Sequence, residues 1–379
     1  MTDFKMKQYI DEHYEEAISL LKTLGKIPAP SRNEDKRAAF CRDWFIAQGA
    51  EHVWIDEAKN VICSLGVSTS NDIVVFMAHT DIVFPDTEEL PMNQEGNILY
   101  APGIGDDTAN LVNLMIAAKY FLNKKPNADD GFLIVANACE EGLGNLDGCK
   151  AVMRAYGNRI KAVYSFDGYL SQCTDTPVGS HRYRISVQAE GGHSYLNYGN
   201  ENAIITLSSL IQDMNQFVLP TKEKTTQNVG YISGGTTINS IAEECFCLYE
   251  YRSASQECLT LMQDQLKELV NRYCQDGHKA EIEILGIRPG KGEFAPGILD
   301  TFTNKTIDHI TQFYTGDLDR NPYSTDANIP LSMGIPGNTI GTVVGGKAHT
   351  REEWVDLSSL RTGMAIVFSI ISAWFNCPS

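Results

Sequence analysis

GFLIVANACEEGLGN, residues Gly131–Asn145, is the stretch whose reading decides the fold. It opens with a short apolar run, Gly131–Ala136, of the length and composition of a strand covered on both faces. Just beyond the run stand two adjacent carboxylates, Glu140 and Glu141. Like charges on neighbouring residues repel, and a buried charge without a partner is costly. Such a pair is tolerable at a strand end if one carboxylate holds a cation and the other works on a water beside it.

Outward from this run, similar strands recur with helices between them. Candidate strands are Asn60–Gly66, Ile73–Ala78, Phe132–Ala138 and Ala162–Phe166, and candidate helices are Asp3–Leu24, Glu34–Gln48, Asp107–Asn123 and Gly148–Tyr156. This alternation predicts an α/β unit with a mostly parallel mixed sheet flanked by helices. Near Ser180 the texture changes to half-buried alternation, starting with His181–Ala189. A helix at Glu201–Phe217 follows, then strands at Thr226–Ile232 and Cys245–Arg252, a helix at Gln256–Cys274 and a strand at Lys279–Leu285. That is the β-α-β-β-α-β order of an α+β two-layer sandwich. Gly286–Pro296 reads as the return link. The expected layout is one domain of residues 1–179 and 292–379, interrupted by an inserted domain of residues 180–291.

The chain has 379 residues, 43% of them hydrophobic, and a net charge of −17. That balance supports a large core and argues against a nucleic-acid partner, which needs a basic face. The amphipathic N-terminus does not read as a secretory leader, and no apolar run has the ~18–20 residues of a spanning helix. Ten cysteines with no CxxC pair read as reduced core thiols, with Cys245 and Cys247 on one strand face. A cytoplasmic protein with no membrane partner is therefore expected.

Ligands of open α/β sheets gather at the carboxyl ends of strands. Several such ends here carry metal-type residues: His79-Thr80-Asp81, Glu140-Glu141 and Asp167-Gly168. Gly103-Ile-Gly-Asp106 precedes a helix, and Gly345-Gly-Lys-Ala-His349-Thr350 follows the apolar Thr339–Val344. One such residue is usually a cap. Five at one sheet edge point to a pair of divalent cations, most simply zinc, with cobalt or manganese as alternatives.

The order AHTD, GIGDD, EE, FDG and a distant HT resembles the co-catalytic di-zinc exopeptidase family of peptidase T, carboxypeptidase G, aminoacylase and succinyl-diaminopimelate desuccinylase. Peptidase T-like members are the most similar. The resemblance spans essentially the whole chain and implies a metal set of His79, Asp106, Glu141, Asp167 and His349. Asp106 would bridge the two metals, Asp167 would join His79 on one, and His349 would join Glu141 on the other. Asp81 would orient the His79 ring, and Glu140 would be the general base on the metal-bridging water and then the acid for the leaving amine. A cis peptide after the bridging aspartate, Asp106–Asp107, is also implied. Asp326, in Ser324-Thr-Asp326-Ala-Asn, and Glu353 read as supporting residues.

Within the insert, Gly191-Gly-His193-Ser194 resembles the family's lid motif, Gly234-Gly-Thr-Thr-Ile-Asn239 its glycine turn, and Arg252 its carboxylate-binding arginine. The resemblance implies that His193 polarises the scissile carbonyl, in dimers that of the other subunit. It implies that Asn239 and Arg252 contact substrate, and that the insert serves as lid and dimerisation domain of a homodimer. After the bridging aspartate and after Asn239 the chain departs from the family's usual residues, which bears on substrate preference and removes no ligand.

The function expected is hydrolysis of amide bonds in short peptides, as a di- or tripeptide aminopeptidase. Two alternatives stand beside it: an amidohydrolase acting on N-acyl or N-carbamoyl amino acids, and a non-catalytic metal-binding protein.

Overall fold

The computed structural model describes residues 3–124 and 128–375. Two compact units emerge: residues 1–176 with 292–379, and residues 177–291.

The first unit is built on a seven-stranded sheet in the order Val53–Ile55, Val61–Leu65, Gly131–Asn137, Ile73–His79, Ile160–Phe166, Gly337–Ile340 and Cys173–Thr174. The four strands from Gly131–Asn137 to Gly337–Ile340 run parallel, and both edges are antiparallel. The fold class read from the sequence holds. Ile73–His79 and Gly131–Asn137 are buried at every position. Period-2 geometry divides their side chains between two cores. Val74, Phe76 and Ala78 join Phe132, Ile134 and Ala136 under the helices Asp3–Lys26, Ala109–Lys124 and Leu360–Ser372. Ile73, Val75 and Met77 join Leu133 and Val135 under the helix Asp147–Tyr156. Continuous apolar strands thus mark a sheet covered on both faces.

The expected helix Asp107–Asn123 is corrected at its start. Ile104–Thr108 forms one wide turn in which Asp106 has non-helical φ −114° and ψ 86°, and regular helix begins at Ala109. The Asp106–Asp107 peptide is cis. Buried polar demands explain the turn: the Glu353 carboxylate accepts the backbone N–H groups of Gly103, Gly105 and Asp106 at 2.7–2.9 Å.

The second unit is a four-stranded antiparallel sheet in the order Thr225–Gly234, Glu244–Ser253, Gly179–Gln188 and Lys279–Arg288. The helices Ala203–Met214 and Gln256–Gln275 pack on one face against Tyr183, Ile185, Val187, Cys245 and Cys247. Asn202 and Ser255 cap those helices through their side-chain oxygens. The return link is shorter than expected. The last strand continues to Arg288 because a bulge at Leu285 lets Gly286 pair with Arg182 and the ladder run on.

Among the described residues no helix is long and apolar enough to cross a membrane. The described cysteines are free, and all but Cys274 are buried.

Candidate metal centre

Strand register assembles the site. His79 pairs with Asn137, and Ile340 with Phe166, so the segments that follow these strands leave one edge of the sheet together. Thr80-Asp81, Ala138–Glu141 and Asp167 therefore meet, as expected at the carboxyl ends of parallel strands.

Asp81 explains how two glutamates can sit side by side. Its Oδ1 accepts the N–H of Glu140 at 3.0 Å, its Oδ2 accepts the N–H of Glu141 at 2.9 Å, and the Ser31 hydroxyl donates to Oδ2 at 2.6 Å. One buried carboxylate thus fixes the backbone that carries both glutamates. The residue before them, Cys139, has a left-handed φ of 60°. Its N–H donates to the buried Glu34 carboxylate at 3.0 Å.

The His79 ring is buried and held on two sides. Its Nδ1 lies 3.0 Å from the main-chain oxygen of Asp81 and 3.4 Å from that residue's Oδ1. Orientation by Asp81 thus comes first through its carbonyl. On the other side, Nε2 of His79 lies 3.0 Å from Oδ1 of Asp106 and 4.0 Å from Oδ1 of Asp167. His349 approaches from a half-exposed turn, itself in the left-handed region at φ 62°. Its Nε2 lies 3.2 Å from Oδ2 of Asp106 and 3.2 Å from Oε1 of Glu141.

The five expected metal residues therefore come together, with Asp106 in the middle. Three overlapping groups have donor atoms within 4.8 Å of one another: His79 with Glu140 and Glu141, His79 with Asp107 and Asp167, and Asp106 with Glu141 and His349. Asp107 joins this set without having been singled out from the sequence. It is fully buried, and its Oδ2 accepts the His79 N–H at 2.8 Å. The doubled aspartate of GIGDD was the available signal.

The electrostatics suit bound cations. Burial, then the charges of Asp167 and Asp106, hold the Asp107 carboxyl well above the usual range. Burial likewise raises Asp167 well above it, aided by Asp106 and Glu140. Burial and the Asp106 charge push Glu141 up to about 7. Burial opposes ionisation of Asp106, but hydrogen bonds from His349 and His79 keep it below the usual range. Hydrogen bonds that His349 donates to Asp106 and Glu141 push it up to about 11. This many carboxylates in so small a volume fit divalent cations of the oxygen- and imidazole-preferring kind.

Supporting residues ring the cluster. Asn137 donates to Oδ2 of Asp326, and the other oxygen of that buried carboxylate has no hydrogen-bond partner. Burial and the Glu140 charge push Asp326 up to about 8. The reading of Asp326 and Glu353 as supporting residues matches these positions.

In the second unit, His193 and Asn239 lie together. The short strand Gly192–His193 pairs with Ser240–Ile241, and the Ser194 N–H donates to the Asn239 carbonyl at 3.0 Å. Both line a cavity of about 760 Å³ with Arg184, Thr237, Glu244 and Phe246. Nδ1 of His193 accepts the N–H groups of Tyr195 and Leu196 at 3.2 and 3.4 Å, which leaves Nε2 as the proton-bearing nitrogen of the neutral ring. Arg252 is not brought to them. It sits eight positions along the strand from Glu244, about 26 Å at strand rise, and forks onto Glu250 with both contacts at 3.1 Å.

A sheet of this topology with this edge of histidines and carboxylates defines a metal-dependent hydrolase. The chain belongs to peptidase family M20/M25/M40, whose model matches residues 75–373. It is 27% identical over 331 residues to YqjE of Bacillus subtilis, an uncharacterised protein, covering 83% of this chain and 84% of that one. It is 23% identical over 287 residues to an N-acetyldiaminopimelate deacetylase of Listeria monocytogenes, covering 71% and 74%. In fold it is similar to a tripeptidase of Staphylococcus aureus, with a TM-score of 0.76 at 20% identity over 95% of this chain and 98% of the other.

Proposed function

We propose that the protein hydrolyses the amide bond of short peptides, with a free α-amine on the substrate, at a centre of two divalent cations, most simply zinc. The observation that carries this is Asp106, whose two oxygens face two different histidines. His79 and Asp167 would hold one cation, Glu141 and His349 the other, and Asp106 both. The cations, when bound, polarise the scissile carbonyl and lower the pKa of a water. Glu140 lies on the same pinned segment and takes the proton of the attacking water. It then delivers that proton to the leaving amine.

We assign His193, Asn239 and Arg252 to the substrate. His193 offers Nε2–H to the carbonyl oxygen, and Asn239 sits beside it. Arg252 takes a terminal carboxylate after exchanging its contact with Glu250. Their separation within one sandwich supports a homodimer, in which His193 and Asn239 serve the metal centre of the partner. The free edge of Thr225–Gly234, with Tyr231 and Ile232 half exposed, supports pairing through this unit.

The deacetylase among the relatives supports a second reading, removal of an acyl or carbamoyl group from an amino acid by the same chemistry. One panel separates the two. Metal-reconstituted protein and Glu140→Ala are assayed on di- and tripeptides, on the same peptides N-acetylated, and on N-acyl and N-carbamoyl amino acids. Cleavage of free-amine peptides alone, lost in the variant while metal persists, is the expected result. Turnover of blocked substrates alone would move the function to a deacylase.

A further inference from the structure

Arg37 is the only cationic side chain of the first unit, among the described residues, that is wholly shielded from solvent. It stands near the start of the helix Asp35–Ala47. Burial brings its pKa down to about 10, so it stays charged at neutral pH. A buried charge is normally matched by a hydrogen-bonded counter-ion. Arg37 donates to neutral oxygens instead. Nε and Nη2 donate to the Ile27 carbonyl at 3.2 and 2.7 Å. Nη1 donates to the Thr80 carbonyl at 2.8 Å and to the Thr108 hydroxyl at 3.2 Å.

Those acceptors have a common property. Thr80 stands between His79 and Asp81, and its N–H and hydroxyl both donate to the Asn137 carbonyl at 2.7 and 2.9 Å. Thr108 follows Asp106 and Asp107 and closes their turn by donating to the Gly103 carbonyl. One nitrogen of one guanidinium therefore ties the strand end that carries His79 to the turn that carries Asp106. The planar guanidinium holds Nη1 on these two acceptors while Nε and Nη2 are anchored on the Ile27 carbonyl, a fixed geometry that an ammonium on a flexible stem does not keep. Asp81 is near enough to favour the charge without a direct bond.

We propose that Arg37 is a positioning residue for the metal centre. It sets the spacing of His79 and Asp106 through Thr80 and Thr108, and its fixed charge offsets the crowded carboxylates beside it. This rests on the metal-centre reading given above. The side chain touches no substrate, so its effect lies in metal affinity and ligand geometry. Losses of tenfold to a hundredfold in metal affinity are typical when partners of metal ligands are removed.

The test uses the full chain with Arg37→Lys, which keeps the charge and loses the fork, and Arg37→Met, which loses both. Zinc affinity is measured by competition with a chromogenic chelator, well below the melting temperature of each variant. The visible spectrum of the cobalt-substituted protein reports ligand geometry. Arg37→Lys is expected to bind zinc at least about tenfold more weakly with an altered cobalt spectrum, and Arg37→Met more weakly still. kcat should fall with KM little changed. Parental zinc affinity and an unchanged cobalt spectrum in Arg37→Lys would overturn the proposal, whatever happens to stability. If Arg37→Met fails to fold, the lysine variant decides alone. Failure of the parent chain to bind zinc, cobalt or manganese in stoichiometric amount would instead overturn the metal-centre reading itself.

Discussion

Asp106 presents its two carboxylate oxygens to two different histidines: Oδ1 lies 3.0 Å from Nε2 of His79, and Oδ2 lies 3.2 Å from Nε2 of His349. The histidines come from distant parts of the chain and approach each other across this residue. Asp106→Asn replaces one oxygen by a donor of nearly the same shape. Metal content measured by elemental analysis should fall below that of the parent, and activity should fall with it. Full metal occupancy in a folded Asp106→Asn would show that the carboxylate does not join two cations.

Glu140 and Glu141 share a segment, and the proposed mechanism gives them different tasks. Glu140→Gln should keep its metal and lose about 10²–10⁴ in kcat, the usual worth of a general base. Glu141→Gln should lose metal affinity first. Equal metal loss in both variants would put the two glutamates in the same role.

Asp81 accepts from the backbone of both glutamates and from Ser31. Asp81→Asn puts an amide donor where an acceptor is needed and leaves a buried N–H unpaired. A cost of about 1–3 kcal/mol in unfolding free energy is expected. Metal affinity should weaken by roughly 10–100-fold. Denaturant unfolding and chelator competition check the two effects separately. A stability loss with no change in affinity would reduce Asp81 to a structural role.

The metal-free protein should become less stable as pH rises. Burial and neighbouring charge push Glu141 up to about 7, and Asp326 and Glu353 up to about 8. Between the ordinary carboxyl range and those values the folded chain binds more protons than the unfolded one. Stability therefore falls across about pH 4 to pH 8. Thermal melts of chelator-treated protein at pH 5.5 and pH 8 should show the drop, and added zinc should reverse it. A melting temperature that rises over this range would contradict the arrangement.

The sandwich unit should respond to acid in the opposite sense. His181 is buried, with Nδ1 2.9 Å from the Tyr251 hydroxyl and 3.2 Å from the Tyr183 hydroxyl, and Nε2 has no partner. Burial and then the Lys267 charge bring its pKa down to about 4 from 6.5. The unfolded chain then binds the extra proton first. The neutral ring's contribution, about 3 kcal/mol, is present above pH 6.5 and is lost as pH falls toward 4. Urea unfolding at pH 7.5 and pH 5 tests this, and His181→Gln should flatten the dependence. An equal slope in parent and variant would place the acid sensitivity elsewhere.

Much of this protein is written locally. The apolar runs Ile73–Ala78 and Gly131–Ala136 specify strands covered on both faces, because a half-exposed strand alternates apolar with polar residues. Alternation in Gly179–Gln188 specifies a half-covered sheet for the same reason in reverse. The residue types that end the parallel strands point to the chemistry, since several carboxylates crowded beside imidazoles repel one another unless cations hold them. Tertiary structure decided what no local pattern encodes. Sheet register chose which strand ends would be neighbours. The wide turn at Ile104–Thr108 made Asp107 part of the cluster where a regular helix was expected. Nothing in the local sequence sets Arg37 apart from the other charged residues of its helix, and only packing placed it, buried, against Thr80 and Thr108. Its partners are main-chain and hydroxyl oxygens, 43 and 71 residues away, and such acceptors leave no mark in residue type or spacing.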